Sequence, residues 1–178
     1  MAAFRTVICG SPQPDGRCAK ASAHLADVLR DRFPEDGLQL FDVAHMDVHP
    51  CLGCNHCAED ARCILRDDMD GLLSALAESA ELFVVCPVYF AGPPAQMKAV
   101  LDRMQPLFFT DVRNRPKRPA HLLVVGGGGD PHGFEPLVGI MRSALSVAGF
   151  RLDRVEASIG EDLQGVLSRA DALLAMGA

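Results

Sequence analysis

The sequence has no tryptophan and one tyrosine, Tyr89, and aromatic side chains make up only 6% of its 178 residues. No apolar run approaches the roughly 18 residues that span a membrane, so no membrane-crossing helix is expected. The N-terminal MAAFRTVICGS has no basic segment followed by a long apolar stretch. A signal peptide is therefore not expected, and a cytoplasmic location follows as the default. Positive charge is in deficit, with a formal net charge of −6. That disfavours broad nucleic-acid binding, which rests on neutralising phosphates with Lys and Arg. Internal repeats, low-complexity segments and domain linkers are missing as well, and the length suits a single domain over 1–178.

What is present is a regular alternation of short apolar runs and helix-period segments. Strands are expected at 5–10 (RTVICG), 38–43 (LQLFDV), 81–88 (ELFVVCPV) and 121–126 (HLLVVG), with a weaker edge strand around 151–157. Helices are expected from Arg17 to Phe33, from Asp67 or Asp68 through Leu76, and through Met97–Met104 with Pro93 and Pro94 in the first turn. Two more are expected, through Leu137–Leu145 and Leu163–Leu174. Five strands alternating with five helices imply an α/β fold, a parallel sheet covered on both faces. At this length the natural form is a three-layer flavodoxin-like sandwich with strand order 2-1-3-4-5, which places a ligand at the carboxyl ends of strands 1, 3 and 4.

The turn GSPQPDGRC (10–18) after strand 1 is neither a nucleotide P-loop nor a dinucleotide G-x-G-x-x-G. It keeps the logic of an anion site all the same. A Gly/Pro turn presents backbone N–H groups at a helix N-terminus, Ser11 and Gln13 add donors, and Arg17 adds charge suited to a phosphate monoester. The competing reading is an ordinary strand–helix turn.

Residues 44–66 lack a period, and a connection this long is usually functional or disordered. The segment holds PCLGCNHCAEDARC (50–63), with Cys51, Cys54, Cys57 and Cys63 among the seven cysteines of the chain. In a reducing compartment such clusters are more often metal ligands or redox groups than disulfides. The spacing C-x2-C-x2-C-x5-C suits four thiolates converging on a [4Fe–4S] cluster. It fits structural zinc less well, since zinc usually takes two separated knuckles. Thiols without metal are the third alternative.

Three segments together carry a resemblance. GSPQPDGRCAKAS (10–22) resembles the phosphate loop of the flavodoxin-like NADPH-dependent FMN reductase family, usually G-S-P-R-x-x-G-N-[ST]. PCLGCNHCAEDARCILRDDM (50–69) resembles the cysteine segment of that family's iron–sulfur flavoprotein branch, and CPVYFAGPPAQMKAVLDR (86–103) resembles its flavin-passing segment. The resemblance implies that Ser11, Gln13, Gly16, Arg17 and Cys18 surround an FMN phosphate. It implies further that Pro87, Val88, Tyr89, Phe90 and Gly92 line the flavin ring, and that the run Gly126, Gly127, Gly128 and Gly129 approaches its other side. Gln13, Arg17 and Cys18 depart from the family's usual Arg, Asn and Ser/Thr. The implied activity is an FMN-dependent oxidoreductase with NAD(P)H or a ferredoxin-type protein as redox partner. The cysteine loop would hold a [4Fe–4S] cluster that exchanges electrons with FMN, and the chain would form a homo-oligomer, dimer or tetramer. A cluster-free NAD(P)H-dependent FMN or quinone reductase and a flavin-free metal-binding or regulatory module are the alternatives. No catalytic base is required, because the cofactor carries hydride chemistry. His132 is read as a loop histidine, Cys9 and Cys86 as buried strand residues, and the basic VRNRPKRP (112–119) as a solvated loop.

Overall fold

A computed structural model describes residues 3–175. Five strands form one sheet in the order β2-β1-β3-β4-β5. They are β1 (Phe4–Cys9), β2 (Gly37–Asp42), β3 (Glu81–Pro87), β4 (Arg118–Gly126) and β5 (Phe150–Ile159), and every pairing is parallel. The helices are α1 (Arg17–Arg32), α2 (Cys57–Asp60), α3 (Met69–Glu78), α4 (Ala95–Asp102), α5 (Gln105–Phe108), α6 (Glu135–Val147) and α7 (Leu163–Leu174).

Both faces of the central strands are apolar, and each face recruits its own helices. Val7, Cys9, Phe83, Val85, Leu123 and Val125 pack under α1 and α7 through Leu25, Leu29, Val166 and Leu173. Ile8, Leu82, Val84, Cys86, Leu122 and Val124 pack under α3, α4 and α6 through Leu72, Val100, Met141 and Leu145. This is the expected three-layer flavodoxin-like sandwich. Continuous apolar strands demand it, because a parallel strand covered on both faces has no polar side to present.

Several boundaries differ from expectation. β4 starts at Arg118, three residues early, and its register with β5 shifts between Ala120 and His121. β5 lies at an edge, as expected, but is ten residues long. Pro94 is the N-cap of α4 and not part of its first turn. Of the two carboxylates at the start of α3, Asp67 accepts from Met69 N at 3.1 Å, while Asp68 turns back to accept from Asp47 N at 2.8 Å.

The basic stretch before β4 is structural. Lys117 donates to the carbonyls of Arg113 and Ser146, each at 2.6 Å. Arg118 donates to Leu76 O at 2.9 Å and Ala148 O at 3.1 Å. These cations satisfy carbonyls left open at the ends of α3 and α6. They sit at the amino end of β4, opposite the strand ends where a ligand is expected. No described helix is long and apolar enough to cross a membrane.

Candidate cofactor cleft and cysteine cavity

β1 delivers the chain to Gly10, where a Cβ would come within 3.1 Å of the Met97 side chain and 3.2 Å of Cys86 Sγ. The turn beyond it closes on itself. Gln13 N donates to Ser11 Oγ at 3.1 Å, and Gly16 N donates to Gln13 O at 3.3 Å. Gly16 is the N-cap of α1, no side chain caps that helix, and its first turn carries no acidic residue. A 16-residue helix therefore opens with uncapped N–H groups, and no carboxylate lies within its first turn. Ser11 is buried, while Gln13 and Arg17 are exposed. Arg17 donates to the Glu161 carbonyl. Cys18 is buried, and burial together with the nearby Cys9 pushes its thiol up to about 12.

Across from this turn, the carboxyl ends of β3 and β4 supply the remaining walls. Ser11, Gln13, Arg17, Cys18, Pro87, Val88, Tyr89, Gly126 and Gly127 line one hollow of about 130 Å³. A second hollow of about 290 Å³ continues from it, sharing Val88 and Gly127 and adding Phe90, Gly128, Gly129, Asp130, Phe134 and Ile159. A Cβ on Gly126 would meet Val88 Cγ1 at 2.8 Å and Ile159 Cδ1 at 3.0 Å, so only glycine fits there. After β3 the chain reverses in two residues. Tyr89 and Gly92 exchange backbone bonds of 2.8 and 3.0 Å, with Phe90 at φ 49° and Ala91 at φ 63° between them. Both lie in the left-handed region that normally calls for Asn-Gly, and the turn holds the Phe90 side chain fully exposed beside the cleft.

The sequence-predicted residues thus gather at one place, with two qualifications. Gly16 and Gly92 shape the flanking turns without lining the walls, and exposed His132 lines neither hollow. Asp130, Phe134 and Ile159 were missed. Ile159 reaches the cleft because the β4–β5 register sets it beside Gly126, and no local pattern announces that pairing.

The cysteine segment forms a loop with a closed neck. Asp68 N donates to Asp47 O at 3.1 Å, and His49 N donates to Asp67 Oδ2 at 3.0 Å. Arg103, buried at the end of α4, clamps the same neck. It donates to Asp67 Oδ2 at 2.6 Å, to Asp67 Oδ1 at 3.0 Å and to His49 O at 2.8 Å. Burial works against the Asp67 carboxylate, but the bonds from Arg103, His49 and Met69 outweigh it and hold its pKa low. Inside the loop Gly53, Asn55 and Ala61 all take positive φ, so the backbone coils tightly. Cys51, Cys54, Cys57 and Cys63 open into one cavity of about 330 Å³, closed from behind by Arg103, Pro106 and Phe109. Burial raises the Cys57 thiol, and the neighbouring Cys51, Cys63 and Cys54 raise it further. Among the described residues no three His, Cys, Asp or Glu side chains converge as a single metal ion requires.

Fold and cleft together define a flavodoxin-like α/β protein with an uncapped helix N-terminus at the strand ends and a separate pocket lined by four cysteines. The chain belongs to the NADPH-dependent FMN reductase family, whose sequence model matches residues 6–156. It is 34% identical over 102 residues to an iron–sulfur flavoprotein of Methanocaldococcus jannaschii, covering 56% of this chain and 51% of that one. It is 30% identical over 148 residues to an iron–sulfur flavoprotein of Archaeoglobus fulgidus, covering 80% and 62%. The matches thus span about half to three-fifths of these relatives' own length. Among solved structures, an NAD(P)H:quinone oxidoreductase from Methanothermobacter marburgensis shares the fold, with a TM-score of 0.67 at 17% identity over 97% of both chains.

Proposed function

We propose that this chain is an FMN-dependent oxidoreductase that also holds a [4Fe–4S] cluster in its cysteine loop. The observation that carries the reading is the gathering of Cys51, Cys54, Cys57 and Cys63 around one cavity in a member of a flavin reductase family. Four cysteines on one cavity, at the spacing C-x2-C-x2-C-x5-C, suit a cluster better than structural zinc, which usually takes two separated knuckles. For FMN, the fit rests on the uncapped N-terminus of α1, the buried Ser11 hydroxyl and the space that Gly126 keeps clear.

Bound FMN would supply hydride acceptance and single-electron release, and the cluster would supply one-electron storage. The chain's own part is binding and orientation. The N–H groups of Arg17 and Cys18 and the Ser11 hydroxyl hold the phosphate, Val88 and Tyr89 set the ring's position, and Gly126–Gly128 let backbone come close to it. Phe90 stands at the mouth, where it limits which acceptors reach the ring. Within one chain the cleft and the cysteine cavity share no lining residue, and Asp102 and Arg103 at the end of α4 line the cavity alone. A homo-oligomer, dimer or tetramer, would let the cavity of one copy face the cleft of another. NAD(P)H or a ferredoxin-type protein is the external redox partner in this reading.

The test is the visible spectrum and iron content of protein purified and reconstituted without oxygen. Flavin bands plus a broad iron–sulfur absorbance support the reading. Flavin without iron leaves a cluster-free NAD(P)H-dependent FMN or quinone reductase, and a colourless protein indifferent to added FMN removes both.

A further inference from the structure

Arg103 is more than a clasp. Its side chain is 1% exposed and lines the cysteine cavity, and its buried Nε–H has no acceptor among the described residues. Both Nη atoms already donate to Asp67 and His49, so among the described residues Nε alone of the three guanidinium nitrogens has no partner. Cys63 lies close enough to favour the guanidinium charge. A buried cation with a spare donor, next to a group that becomes more negative when reduced, is an electrostatic control, because buried charges are weakly screened.

We propose that Arg103 is a positioning residue that raises the reduction potential of the iron–sulfur group held by the four cysteines, with Asp67 as the opposing charge that limits the rise. The proposal rests on the cluster reading above. One electron adds one negative charge to the bound group, and no proton or bond changes hands. The Arg103 cation stabilises the reduced form, and the Asp67 anion opposes it. Loss of either charge therefore moves the potential in opposite directions, although loss of either also loosens the same neck. A purely structural clasp has no such sign.

The experiment reconstitutes wild type, Arg103→Gln, Arg103→Lys and Asp67→Asn with iron and sulfide under anaerobic conditions. Iron is assayed, and the reduced cluster is then followed by EPR in a redox titration. At fixed poise the reduced-to-oxidised ratio is expected to fall about tenfold in Arg103→Gln, or about 59 mV for one electron. It rises several-fold in Asp67→Asn, and Arg103→Lys stays within about threefold of wild type. Shifts of the same sign in Arg103→Gln and Asp67→Asn, or shifts under twofold with iron content intact, overturn the proposal while the cluster reading stands. Where Arg103→Gln fails to retain iron, Asp67→Asn decides: a rise supports the proposal and no rise overturns it. A wild type that takes up no iron brings down the cluster reading and this proposal together.

Discussion

Gly126 concentrates the demands of the cleft in one missing methyl group. A Cβ there meets Val88 at 2.8 Å and Ile159 at 3.0 Å, and both belong to the wall that would face the ring. Gly126→Ala is expected to lower stability by about 1–3 kcal/mol through overpacking. It is also expected to weaken FMN binding at least tenfold, read by flavin fluorescence quenching and a thermal melt. A second residue-scale expectation concerns the cysteines. Burial pushes Cys9 up to about 11 and Cys18 up to about 12, and it raises the Cys86 thiol well above its ordinary value. Cys51 and Cys54 are exposed, and Cys57 and Cys63 are half-buried. Native metal-free protein treated with iodoacetamide at mildly alkaline pH should therefore take adducts on the four loop cysteines, Cys57 last, and none on the other three. Peptide mapping that finds Cys18 modified early would contradict this. Cys18 stands where the family usually has a hydroxyl, and in the function proposed above a buried, protonated thiol would leave phosphate holding to the backbone N–H groups and Ser11.

At the scale of elements, the sequence announced what depends on local period. β3 is apolar from Leu82 onward because both its faces are covered there, and α1 shows Leu25 and Leu29 at helical spacing because one face meets the sheet. The start of β4 was hidden. Arg118 and Pro119 look like loop residues, yet Arg118 is there to satisfy helix carbonyls from the strand's first position. Short α5 has too few residues to show a period. The Arg103–Asp67 pair joins residues 36 apart and was invisible for that reason. The turn after β3 offers a sharper test. Phe90 and Ala91 occupy left-handed positions that Asn-Gly adopts without strain. The double variant Phe90→Asn/Ala91→Gly should gain about 1–2 kcal/mol in urea unfolding while altering acceptor turnover. A loss of stability would mean that the Phe90 ring contributes more to the fold than its exposure indicates.

Across the whole molecule, the sheet has a functional end and an anchoring end. The cleft occupies the carboxyl ends of the strands. At the amino ends a polar chain crosses the sheet: Arg5 pairs with Asp36 and with Glu81, the latter at 3.0 Å, and Glu81 meets His121 Nε2 at 3.0 Å. Burial alone would raise the Glu81 pKa, but the bonds from His121 and Arg5 outweigh it and hold it below its ordinary value of 4.5. A carboxylate with a depressed folded pKa contributes stability that is complete above its unfolded value and is lost as pH falls through the folded one. The melting temperature of wild type should therefore drop steeply below about pH 4.5, and Glu81→Gln should be less stable near neutrality but flatter across that acid range. Equal slopes for the two proteins would remove Glu81 from the acid response.

The bonded neck at Asp47–Asp68 and His49–Asp67 also has an evolutionary meaning. The two ends of the cysteine loop already touch, so chain can be added or removed between them without moving a strand or changing its register. Closing a longer loop costs little more than closing a short one. The segment has the form of a cassette: a sandwich of this kind can acquire or discard the cysteine pocket, and with it the cluster proposed above, through one insertion that leaves the cleft at the strand ends as it was.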